Sequence, residues 1–103
     1  MELARVEGTI VSTAKADRLK SLNLLLVNLI APDLKASNNY LVAVDAVGAG
    51  EGEVVIVVRG SSARQADQLT NVPTDTAIVA IVDTVEHKGE ITYQKHSSQD
   101  ARR

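Results

Sequence analysis

Three glycines fall within five residues in Gly48-Ala49-Gly50-Glu51-Gly52, between two apolar runs, and Arg59-Gly60-Ser61-Ser62-Ala63-Arg64 follows. Bare glycine amides can cradle a phosphate, and arginine and serine side chains are the ones that would assist. The spacing argues against that chemistry. A dinucleotide loop needs Gly-x-Gly-x-x-Gly opening a helix, whereas Glu53 stands where the third glycine belongs and a β-branched run comes next. Glu51 and Glu53 would repel the anion, and the chain has no Gly-Lys-Ser or Gly-Lys-Thr of a Walker loop. The stretch reads instead as a structural corner, where glycine supplies positive φ or a close backbone approach.

Ser61, Ser62, Asp83 and His87 include the residue types of a nucleophilic triad. On one continuous strand, Asp83 and His87 would lie about 13 Å apart, beyond hydrogen-bond reach. The serines read as a helix cap and His87 as a solvated strand end. Asp45 and Asp83 each close an apolar run, and paired carboxylates can do acid–base work when burial separates their pKa values. Strand-end aspartates more commonly accept hydrogen bonds from a turn. His87 and His96 lack a third ligand nearby, and the chain has no cysteine for a thiolate site, a disulfide or a nucleophile. Neither catalysis, a metal nor a cofactor is expected.

The elements that position these residues are read from periodicity. Leu3 to Val11 alternates, with Ala4, Val6, Gly8 and Ile10 on one side of a first strand. Leu22 to Ala31 gives a second strand, apolar on both faces and ended by Pro32-Asp33. Leu34 to Asn39 is turn-rich, and Tyr40 to Val47 gives a third strand before the glycine corner. Glu53 to Arg59 gives a fourth, which the corner would pair with the third as a hairpin. Ser62 and Gln65 have capping-box spacing ahead of one short helix, stopped near Pro73. Thr76 to His87 is a last long strand, and Lys88-Gly89 can turn the chain back into a short extra one. These elements predict an all-β fold with one short helix: a single five-stranded closed barrel over residues 1–90, with a polar tail over 91–103.

The strands carry more apolar surface than a barrel interior holds. The second, fourth and fifth offer large aliphatic residues on both faces, as in Leu24 and Leu26 against Leu25 and Val27. Each such side chain left in water forgoes about 1.5–3 kcal/mol of burial. One two-turn helix cannot cover them, so association with further copies of the chain is expected. The barrel shape also suggests the oligonucleotide-binding fold, whose nucleic-acid-binding module is the alternative reading. That role needs aromatic platforms in a basic groove, and this chain has two aromatic residues, Tyr40 and Tyr93, and a net charge of -2. Nucleic acid is therefore not an expected partner. The continuous apolar runs, such as Leu24 to Val27, are all too short for a membrane helix. With its acidic second residue, the amino terminus predicts a soluble chain made without a leader.

Four blocks in order, "GTIVSTAK" from Gly8, "DAVGAGEGEVV" from Asp45, "RGSSAR" from Arg59 and "AIVAIVDTV" from Ala77, resemble the bacterial microcompartment vertex protein family, which includes the carboxysome vertex and EutN-type proteins. The resemblance implies an oligonucleotide-binding-like barrel that assembles as a cyclic homopentamer. It implies a place at the corners of a polyhedral shell in the bacterial cytoplasm, beside hexameric shell proteins. It also recasts the glycine corner: Gly48, Ala49 and Gly50 would approach a neighbouring subunit. Arg59 and Arg64, flanking Ser61 and Ser62, would either reach a carboxylate across the subunit boundary or stand as solvated surface arginines.

Overall fold

The computed structural model describes residues 1–12, 22–60 and 75–95. These form seven strands: β1 (Glu2–Ile10), β2 (Asn23–Ile30), β3 (Ala36–Asp45), β4 (Val54–Arg59), β5 (Thr76–Ile81), β6 (Thr84–His87) and β7 (Glu90–Gln94). The first five close into a barrel in the order β1-β2-β3-β5-β4, and β6 and β7 form a separate two-stranded sheet. The expected short helix at Ser62 lies outside the described residues.

Closure comes from β4, which pairs antiparallel with β1 (Leu3 opposite Ile56, Ala4 opposite Val55) and with β5 (Val57 opposite Ile78). The only parallel pairing described is between β3 and β5, with Val44 opposite Ala77. The third and fourth strands are therefore not the hairpin that the glycine corner suggested. The corner carries the chain across the barrel end, from β3 to a strand whose neighbours are β1 and β5. Every barrel strand gains two partners in this way, and no exposed edge is left.

Two further expectations are corrected. The long last strand breaks at Val82 and Asp83, so β5 stays in the barrel while β6 leaves it and turns into β7. The turn at Lys88 and Gly89 has φ of 56° and 82°, which is the paired positive φ of a two-residue type I′ hairpin. β7 thus crosses the residue-90 boundary read from sequence. The alternation in β1 also breaks, because Val6 pairs with Val27 while Gly8 pairs with Leu26, and Glu7 bulges out between them. Beyond the bulge Ile10 lies opposite Leu24, on the outer wall, and no longer shares a side with Ala4 and Val6.

The interior is aliphatic throughout. Ala4, Val6, Leu25, Val27, Ala43, Val55, Val57 and Ile78 form the core, closed at its margin by Leu29, Leu41, Ala49 and Ile81. A second apolar cluster joins Val44 and Ala77 to Leu22, Leu24, Ala46, Val58 and Val79. Val44, Ala77 and Leu24 are register neighbours on the face opposite to that of Leu25 and Ala43. This second cluster is therefore the outer wall of β2, β3, β5 and β4. The double-faced strands inferred from sequence do present two apolar walls, and the barrel interior takes only one of them.

Candidate functional site

The glycine corner is built around one carboxylate. Asp45 ends β3 with its side chain buried, and Oδ1 accepts hydrogen bonds from the amides of Val47 and Gly48, both at 3.0 Å. Oδ2 accepts the Ala49 amide at 2.9 Å. Three backbone donors that the barrel leaves unpaired are thereby satisfied. The turn-bonding reading of Asp45 holds, and its oxygens are occupied by the loop.

The second half of the corner docks on β1. The Gly52 amide donates to the Val6 carbonyl at 2.8 Å and the Val6 amide to the Glu53 carbonyl at 2.9 Å, at the edge of the β1 bulge. Glu53 Oε1 accepts the Gly50 amide at 2.6 Å. Gly48 and Gly52 hold φ of 79° and 88°, a region that side chains disfavour. Gly50 does not, and a Cβ there would meet only the Glu53 carboxylate, at 3.5 Å. Ala49 turns inward against the core, so Gly48 and Gly50 are the parts of the predicted triplet that stand exposed.

Arg59, at the end of β4, finds a carboxylate within its own chain. Its Nε and Nη2 donate to the two Glu2 oxygens at 2.6 and 2.8 Å, a two-pronged pair across the β1–β4 closure. The hydrogen bond from Arg59 holds the Glu2 carboxyl below its ordinary value, and the same bond raises Arg59. Both side chains are more than a third exposed, so water and salt screen the pair. Sequence reasoning missed Glu2 because nothing local marks a partner 57 positions away. Ser61, Ser62 and Arg64 lie outside the described residues.

Asp83 is exposed and immediately precedes β6, and His87 closes that strand. The extended chain between them keeps the two apart as the spacing argument required. Among the described residues, no group of three or more His, Cys, Asp or Glu side chains is placed to hold a metal ion. No helix among them is long and apolar enough to cross a membrane.

What the site offers is a hydrogen-bonded, glycine-lined turn at one barrel end and an apolar outer wall along its side. A protein family described as ethanolamine utilisation protein EutN/carboxysome matches residues 1–83, which is β1 through β5 with the corner included. The chain belongs to this family. The carboxysome shell vertex protein CcmL of Thermosynechococcus vestitus is 42% identical over 97 residues, covering 94% of this chain and 98% of that protein. The bacterial microcompartment shell vertex protein GrpN of Rhodospirillum rubrum is 48% identical over 86 residues, covering 84% of this chain and 97% of that protein. The solved structure of that protein, described as a pentameric microcompartment shell protein, superimposes with a TM-score of 0.78 at 47% identity, covering 84% of this chain and 99% of that one. The structure of Gloeobacter violaceus CcmL reaches 0.88 at 37% identity, covering 94% and 100%. The family resemblance read from the four sequence blocks is thus established. The oligonucleotide-binding alternative gains no support from these relatives.

Proposed function

We propose that this EutN/CcmL family chain is a structural subunit that closes with four further copies into a ring and occupies the five-fold corners of a microcompartment shell in the bacterial cytoplasm. The observation that carries the reading is the match to a pentameric shell protein along most of the chain's length, together with an outer apolar face whose margin of Leu22, Leu24, Ala46, Val58 and Val79 is only partly buried in the single chain. A barrel can hide one face of each strand, and sister copies in a ring cover what the single chain leaves exposed of the other, such as Val42. A sheet of hexagonal tiles is flat, and five-fold units give it the corners it needs to close. Hexameric shell proteins are therefore the expected partners. The role is architectural and asks no catalysis of the chain.

Within this reading the exposed Gly48 and Gly50 face a neighbouring copy, and Gly50→Val converts rings to free subunits. Native mass spectrometry of the purified chain tests the assembly: a species of five chains is expected. A folded single chain at micromolar concentration would overturn the reading. So would a salt-dependent mobility shift with single-stranded oligonucleotides in place of any ring.

A further inference from the structure

The β6–β7 hairpin reaches back to the glycine corner through two separate lines of contact. In the first, the Arg5 guanidinium lies 5.8 Å from the centre of the Tyr93 ring on β7, a cation–π distance. The same guanidinium donates from Nη1 to the Gly52 carbonyl at 2.8 Å. In the second, Lys95, just past β7, places Nζ 2.9 Å from Glu53 Oε2. The other oxygen of that carboxylate is the one that accepts the Gly50 amide. The hairpin has anchors of its own besides these. The Lys95 amide donates to the Asp83 carbonyl at 2.8 Å, and Thr92 Oγ1 donates to the Pro32 carbonyl at 2.7 Å.

A corner with three glycines in five residues has wide backbone freedom, and holding it in one shape costs entropy. Asp45 fixes the first half by taking the amides of Val47, Gly48 and Ala49. Nothing on β3 reaches the second half in the same way. Beside the backbone hydrogen bonds that dock Gly52 and Glu53 on Val6, the side-chain contacts to Gly50 and Gly52 come from Glu53 and Arg5, and each of these is tied to the hairpin. Lys95 and Glu53 are 28% and 23% exposed, so their pairing is screened less than that of a fully solvated pair.

We propose that the β6–β7 hairpin is a strap that fixes the second half of the Gly48-to-Glu53 corner, with Glu53 and Arg5 as the positioning residues that transmit the hold. The strap lies past residue 83, where the family match ends, so the matched barrel is braced by a segment outside it. A strapped corner also meets a neighbouring copy already ordered and loses less freedom on docking. That consequence rests on the assembly reading, whereas the strap itself does not.

Amide hydrogen exchange on the full-length chain tests the strap, with Lys95→Met, Lys95→Arg, Glu53→Gln and the Lys95→Met/Glu53→Gln pair compared at the same oligomeric state. Lys95→Met is expected to speed exchange at Gly50 by roughly two- to fivefold while Val55 and Val57 in the core stay unchanged. Lys95→Arg restores protection, and the double variant exchanges no faster at Gly50 than Glu53→Gln alone. Unchanged Gly50 exchange in Lys95→Met overturns the proposal, as does an equal acceleration at Val55 and Val57, which would mean general destabilisation. Native mass spectrometry of the unmutated chain reports on the ring separately, so a failed strap and a failed assembly are told apart.

Discussion

At the scale of single residues, the corner separates glycines that look alike in sequence. Gly48 needs its positive φ of 79°, and an alanine there costs about 1 kcal/mol in subunit stability. Gly50 has ordinary φ and room for a Cβ, so Gly50→Ala leaves subunit stability within about 0.5 kcal/mol. Urea denaturation of the two variants checks the contrast, and equal losses would contradict it. That the stretch was a corner was legible, because Glu53 and the following strand excluded a phosphate loop. Which glycines carry the strained angles was not, since that follows from where Asp45 and β1 fix the loop ends. The Glu2–Arg59 pair gives a pH signature. Folding holds the Glu2 carboxyl below its ordinary value of 4.5 through the Arg59 hydrogen bond, so its contribution is present above that value and lost as pH falls through the folded pKa. Glu2→Gln should melt slightly below the unmodified chain at about pH 7, with the gap closing as pH falls below the lowered Glu2 pKa. A gap that persists into acid would mean that the pair contributes no such dependence.

At the scale of elements, alternation in the first strand and short β-branched apolar runs in the others located all five barrel strands, and errors arose where a side chain or bulge overrides local pattern. Ala36 to Asn39 reads as a turn because Ser37, Asn38 and Asn39 favour one, yet it is the first part of β3. Asn28 explains this. It is fully buried on β2, its Nδ2 donates to the Ser37 carbonyl at 2.8 Å, and its Oδ1 accepts the Ser37 amide at 3.1 Å. The side chain thus supplies ladder-like bonds where the β2–β3 register shifts between Asn28 and Ile30. Asn28→Ala strands both Ser37 groups and should cost about 1–3 kcal/mol, with faster amide exchange at Ser37 than at Ala43 further along the strand. Uniform exchange along β3 would mean that the asparagine does not hold this end. The β1 bulge was equally invisible: a period-two pattern continues smoothly through Glu7 on paper, and only pairing with Leu26 and Val27 moves Ile10 to the outer wall.

At the scale of the whole molecule, the barrel was legible from the number and length of its strands, whereas the pairing order was not. Adjacent runs joined by a glycine turn favour a hairpin, but β4 has more to gain between β1 and β5, where closure pairs both its edges. The surplus of apolar surface needed no pairing order, since it follows from residue types on both faces of the double-faced strands, and it resides on the outer face, where Val42 is exposed and the residues around buried Val44 and Ala77 are only partly covered. If sister copies cover this wall, folding and assembly are linked, and thermal stability must depend on protein concentration. For a ring of five chains that come apart on unfolding, each tenfold dilution removes four-fifths of RT ln 10 per chain, about 1 kcal/mol. In a domain of this size that corresponds to a fall in Tm of roughly 4–8 °C. A chain that unfolds as a monomer shows no shift at all. Calorimetry across two decades of concentration therefore reads whether folding is linked to association, and a flat Tm would show that the second apolar face is stable without a neighbour.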